Sequence, residues 1–173
     1  MRKSLTLLAA AATLSTGAFA ADYAIDPTHT FATFEIGHFG ASVNRGRFDK
    51  KEGKVEFDRA AKTGKVDISF DVASLSTGTP GFDKHVTSAD ILNAAAHPKA
   101  RFVSDKFTFN GDKVSEVSGQ LTLLGKTQPV TLKANAFNCY ESPMLKREVC
   151  GGDFETTIDR TQWGMNYGVD WGF

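Results

Sequence analysis

Four histidines (His29, His38, His85 and His97) and two cysteines (Cys139 and Cys150) are the side chains of this sequence best suited to acid–base, nucleophilic or metal chemistry. His29 and His38 stand nine residues apart, an odd offset. On a continuous strand they would point to opposite faces and could not share a metal. His85, in Phe82-Asp83-Lys84-His85, could act as a general base only beside a nucleophile or substrate, and nothing in the sequence identifies one. Its plainer reading is a histidine that hydrogen-bonds a loop, and His97 before Pro98 reads as a helix-end residue. Asp83, Asp90, Asp153, Glu155 and Asp159 have no spacing that forces a carboxylate pair. The G-x-S-x-G elbow, the Walker phosphate loop and H-E-x-x-H are all absent. No catalytic residue, metal or cofactor is expected.

The cysteines lack a nearby histidine and C-x-x-C spacing, which argues against zinc. In an oxidising compartment a Cys139–Cys150 disulfide is the default expectation. The N-terminus points to such a compartment. Arg2 and Lys3 precede the apolar stretch Leu5 to Leu14, and Ala18-Phe19-Ala20 is a small-x-small cleavage site. Residues 1–20 therefore read as a secretory signal peptide. The apolar run is shorter than the roughly 20 residues that span a bilayer, so no integral membrane protein is expected.

Taking 20 residues from 173 leaves 153, residues 21–173, enough for one domain. The whole chain carries 20 basic and 20 acidic side chains, and losing Arg2 and Lys3 leaves a net charge near −2. That balance gives no electrostatic footprint for nucleic acid or for a polybasic membrane contact.

The elements that position these residues read mostly as strands. From Gly64 to Val72 the sequence alternates, with Val66, Ile68, Phe70 and Val72 on one face and Lys65, Asp67, Ser69 and Asp71 on the other. Period two means one wet and one buried face. Thr30 to His38 does the same with Ala32, Phe34 and Ile36. Similar apolar faces are Val117-Gly119-Leu121-Leu123 and Val130-Leu132-Ala134-Ala136. Further strands are expected over Lys99 to Phe109, over Phe154 to Arg160, and around Phe48 and Val55 to Phe57. Turn signals separate them at Lys62-Thr63-Gly64, Asn110-Gly111-Asp112 and Leu124-Gly125-Lys126-Thr127. One helical piece is expected over Lys84 to Ala96, stopped by Pro98, and Ser74 to Gly81 reads as a loop over a barrel mouth or edge. One-sided strands must close into a barrel or stack as a sandwich. A barrel of about eight strands would hold a single elongated ligand. The 14 phenylalanines suit either a filled core or a lined cavity.

Several runs resemble the YceI-like family. Ile25-Asp26-Pro27-Thr28-His29-Thr30, leading through Phe34 to His38, is similar to its opening, and Asn44-Arg45-Gly46-Arg47-Phe48 to its x-G-x-F strand. Phe82-Asp83-Lys84-His85-Val86 with Ser88-Ala89-Asp90-Ile91-Leu92-Asn93 resembles the central (R/K)-H-L-x-S-x-D-F signature. His97-Pro98 with Ala100, Phe102 and Ser104 resembles Y-P-x-A-x-F-x-S. Gly119-Gln120-Leu121-Thr122-Leu123-Leu124-Gly125-Lys126-Thr127 with Pro129-Val130 matches G-x-L-T-L-x-G-x-T-x-P-V, and Arg160 with Trp163-Gly164-Met165 resembles R-x-x-(F/W)-G. Together these runs extend from Ile25 to Met165.

The resemblance implies an all-β, antiparallel, lipocalin-like barrel with one short helical segment, placed in the periplasm. Its apolar tunnel would bind a polyisoprenoid, an isoprenoid quinone or a related lipid. The expected lining is Phe34, Ile36, Phe70, Val72, Phe102, Leu121, Leu123, Leu132 and Ile158, with Lys84 or His85 meeting a polar head group. Family members continue past the late motif with a closing strand, whereas this sequence stops at Asp170-Trp171-Gly172-Phe173. The expectation is a barrel incomplete at the C-terminus, through truncation or an open seam. An open seam would leave a sheet edge able to pair with a second copy as a homodimer. Two rival functions are an enzyme acting on a small apolar or lipid substrate through His85 and a structural surface domain with a solid interior.

Overall fold

A computed structural model describes residues 21–172. The expected signal peptide, residues 1–20, lies outside the described residues. Ten strands and one helix follow in the order β1 (Ala21–Ala24), β2 (Ala32–His38), β3 (Ser42–Phe48), β4 (Lys51–Asp58), β5 (Thr63–Asp71), β6 (Leu75–Ser76), α1 (Pro80–Val86), β7 (Lys99–Asn110), β8 (Lys113–Leu123), β9 (Lys126–Ser142) and β10 (Arg147–Glu155). Two of the ten are very short, which accounts for the excess over the eight expected. All pairings are antiparallel. Seven strands form one sheet in the order β1-β4-β5-β7-β8-β9-β10, and β2, β3 and β6 form a second. The large sheet curls into a half-barrel, and its two outermost strands meet where the Tyr23 hydroxyl of β1 donates to Glu148 Oε1 of β10 at 2.7 Å.

The alternation in β5 holds as the sequence requires. Val66 and Ile68 pack inward, while Asp67 faces out and accepts two bonds from Arg101, from Nε at 2.8 Å and Nη2 at 2.6 Å. The guanidinium holds the Asp67 carboxyl below the usual carboxylate range. Elsewhere the alternation slips. In β7 two residues oppose one between Val103 and Lys106, so Ala100 and Phe102 share the inner face with the odd-numbered Phe107 and Phe109. A second irregularity beside Phe109 lets both Val114 and Val117 of β8 turn inward.

Three expectations need correction. The run Val130-Leu132-Ala134-Ala136 is not one continuous inner face. A register shift opposite Asp153 and Phe154 leaves Ala136 exposed and brings Phe137 and Cys139 inward instead. The helix is Pro80–Val86 rather than Lys84 to Ala96. Proline suits the first helical position, and the Thr87 and Ser88 hydroxyls then bond the carbonyls of Asp83 and His85 at 2.8 and 2.7 Å, after which the chain continues in turns. Ser74 to Gly81 accordingly contains β6 and the start of α1 as well as loop. Finally, Phe154 to Arg160 is mostly not strand: β10 ends at Glu155, and a 3-10 turn covers Arg160–Trp163. The β8–β9 hairpin has positive φ at both Leu124 (49°) and Gly125 (70°), the backbone that a two-residue hairpin loop of matching twist requires.

Candidate functional site

Side chains of the curled sheet, together with those of the second sheet, α1 and the turns beside it, form two apolar clusters in series. The first gathers buried Phe57, Phe102, Val114, Val117, Val130 and Trp163, with half-buried Leu121, Leu123, Leu132, Phe137 and Ile158 against them. The second gathers Val72, Leu75, Val86, Leu92 and Ala100, with Phe34, Phe48 and Phe70. Leu123 touches both clusters, so the apolar wall is continuous. β7 runs the length of it, and its inward residues from Ala100 to Phe109 span about 30 Å at about 3.3 Å per residue. Phe57 anchors one end, 6.0 Å from Phe109 in a stacked pair and 5.6 Å edge-on from Phe137. Phe48 anchors the other, 6.2 Å from both Phe34 and Phe70.

The interior is apolar, and much of it is only half-buried. No large side chain among the described residues is under 2 % exposed, and most wall residues are half-buried. No buried side-chain polar atom among them lacks a partner. The two buried polar residues serve turns: Asp58 accepts from the Ala61 amide at 2.8 Å and Ser142 from the Leu145 amide at 3.1 Å. An apolar chain entering here would therefore meet hydrocarbon without orphaning a polar group.

Eight of the nine expected lining residues pack into these clusters: Phe34, Phe70 and Val72 in the second, Phe102, Leu121, Leu132 and Ile158 in the first, and Leu123 in both. Ile36 is half-buried on β2 and belongs to neither. Lys84 is exposed on α1, and the His85 ring lies 5.0 Å from that of Tyr167, edge to face. Val117 lies in the wall, as its place on the expected Val117-Gly119-Leu121-Leu123 face requires, and Phe57, Val114, Phe137 and Trp163 join it without having been expected there. Val114 and Phe137 are out of phase with their strand neighbours because of the bulges. Trp163 arrives from a 3-10 turn, where its indole N–H donates to the Leu121 carbonyl at 3.0 Å.

The Cys139–Cys150 disulfide is present, joining directly opposed residues of β9 and β10. Cys139, Glu148 and Cys150 lie within metal-ligand distance of one another, but with the sulfurs bonded together the trio offers one carboxylate only. Glu148 is already engaged by Tyr23 and, at 3.6 Å, by Arg59. Burial, followed by the hydrogen bond to Glu148, pushes the Tyr23 phenol up to about 12.

Two depressions mark the surface. One of about 670 Å³ lies over β4, β5, β7, β8 and β9, where Lys54, Lys65 and Lys106 accompany Glu56, Asp67 and Asp105. Its balanced charges do not suit an apolar chain. The other, about 720 Å³, includes Val114 and Phe137 of the apolar wall together with His29, Lys113 and Asp153. No helix among the described residues is long and apolar enough to cross a membrane.

Comparison with known proteins agrees with this architecture. A relative from Pseudomonas syringae pv. syringae, a UPF0312 protein, is 42% identical over 139 residues, covering 78% of this chain and 72% of its own. The crystal structure of BcnA from Burkholderia cenocepacia superposes with a TM-score of 0.68 at 24% identity, over 84% of this chain and 87% of that one. A polyisoprenoid binding domain from Saccharophagus degradans shares the fold with a TM-score of 0.50 at 13% identity, over 88% and 82%. The YceI-like domain model matches residues 23–172, and with it the chain belongs to the YceI-like family.

Proposed function

We propose that this protein is a carrier that encloses a long apolar chain of polyisoprenoid type against the inner face of its curled sheet, without catalysis. The observation that carries this reading is a continuous apolar wall about 30 Å long in which most side chains are only half-buried. Removing apolar surface from water is favourable by about 25 cal/mol per Å², so several isoprene units laid along such a wall would gain several kcal/mol. The shared fold with a polyisoprenoid binding domain supports the ligand class. Walls formed by Phe34, Phe70, Val72, Phe102, Leu121, Leu123, Leu132 and Ile158 would touch the chain, with Lys84 and His85 at the α1 end. The disulfide suits an oxidising compartment, and a cleaved leader over residues 1–20 would deliver the protein to the periplasm. Lipid extraction from natively purified protein, read by mass spectrometry, tests the reading. One prenyl or related chain per protein is expected. Protein that carries no such chain, and takes up none when offered, refutes it.

A further inference from the structure

The wall has two ends of different chemistry. At the α1 end the His85 ring is occupied edge-on by Tyr167. At the other end, some ten residues along β7 at the β7–β8 turn, the depression of about 720 Å³ brings half-buried Phe137 together with Lys113, Asp153 and His29. His29 comes from the β1–β2 connection and is held by a neighbour. Its Nδ1 lies 2.7 Å from Asp26 Oδ2, while the other carboxylate oxygen, Oδ1, accepts from the Thr28 amide at 2.8 Å and the Thr28 hydroxyl at 2.6 Å. These bonds hold the Asp26 carboxyl well below its usual range, so Asp26 is an acceptor only. The His29 proton facing it therefore sits on Nδ1. In the neutral ring Nε2 is left as an acceptor, on a side chain that is 81% exposed.

We propose that His29, oriented by Asp26, accepts a hydrogen bond from a hydroxyl at the polar end of the enclosed chain. The preferred ligand is thus an alcohol- or phenol-headed isoprenoid rather than an ether. This rests on the carrier reading above. A ligand lying with its chain against half-buried Phe137 and its hydroxyl at the rim would satisfy both halves of the depression. Asp26 acts as a positioning residue, because it fixes which ring nitrogen is free.

The test compares farnesol with farnesyl methyl ether, binding to delipidated protein at pH 8 by titration calorimetry. Wild type should bind the alcohol about three- to tenfold more tightly, the worth of one neutral hydrogen bond. His29→Ala should bind both ligands with the affinity wild type shows for the ether. Asp26→Asn, whose amide can donate to Nδ1 and free the other tautomer, should shrink the preference. Equal binding of alcohol and ether by wild type overturns the proposal while leaving the carrier reading intact. So does a preference that survives His29→Ala or that is lost on substituting His85 instead. Failure of wild type to bind either ligand overturns the carrier reading itself.

Discussion

Trp163 offers a demanding check on how the wall is built. It is 2% exposed within the first cluster, and its indole donates to the Leu121 carbonyl on β8 at 3.0 Å. Trp163→Phe keeps most of the apolar bulk and loses that bond, at a cost of about 1–2 kcal/mol. Trp163→Ala removes the ring as well, and large-to-small changes of this kind cost about 3–5 kcal/mol. In a domain of this size each kcal/mol moves Tm by about 2–4 °C. The alanine variant should therefore melt about 6–20 °C lower. Urea unfolding followed by far-UV circular dichroism on delipidated protein suits the comparison, because it does not depend on the indole being altered. A Trp163→Ala midpoint within about 0.5 kcal/mol of wild type, the range of an ordinary surface change, would refute the assignment of this side chain to the packed wall.

Other substitutions probe neighbouring features. At Gly119 an added Cβ would stand 2.3 Å from the Val103 carbonyl and 2.8 Å from Ser104 Cβ, beside the β7 bulge, whereas at Gly37 nothing lies within 4 Å. Gly119→Ala should cost about 1–3 kcal/mol or more and Gly37→Ala within about 0.5 kcal/mol, as read by denaturant midpoints. Replacing Cys139 and Cys150 with serine opens a loop of sequence separation 11 and should cost about 3 kcal/mol; an unchanged midpoint would contradict the stabilising role of the bridge. The Tyr23 phenol, raised to about 12 by burial and by its bond to Glu148, favours the folded state in its protonated form. Its contribution is present below about pH 10, the ordinary phenol value, and is lost as pH rises through about 12. The tyrosinate absorbance difference between wild type and Tyr23→Phe should show that midpoint, and a midpoint near 10 would speak against the contact.

The sequence was legible where side-chain order follows strand geometry without interruption. In β5, Val66 and Ile68 against Lys65 and Asp67 gave the inner and outer faces directly, and the cysteine pair gave its bridge. Legibility failed at the bulges. One additional residue near Asn135 turned Phe137 inward and Ala136 outward, and no propensity marks such a shift, because it is set by pairing with a distant strand. The helix was misplaced because three alanines after Leu92 suggested helix, while hydroxyl bonds from Thr87 and Ser88 to the backbone ended it earlier. For His29, strand geometry speaks only against a metal shared with His38. The partner of His29, Asp26, sits three residues away in a loop, where the Asp-Pro-Thr-His run itself could have suggested a side chain folded back on the backbone.

The central claim is that an apolar chain lies along the inner face of the half-barrel, and intermolecular nuclear Overhauser effects to methyl-labelled protein test it most directly. With an unlabelled isoprenoid alcohol bound, cross-peaks should connect chain methyls to Leu121, Leu123, Leu132 and Ile158, which line one continuous wall. Cross-peaks confined to outward-facing residues such as Val103, or a bound spectrum with none, would contradict the account.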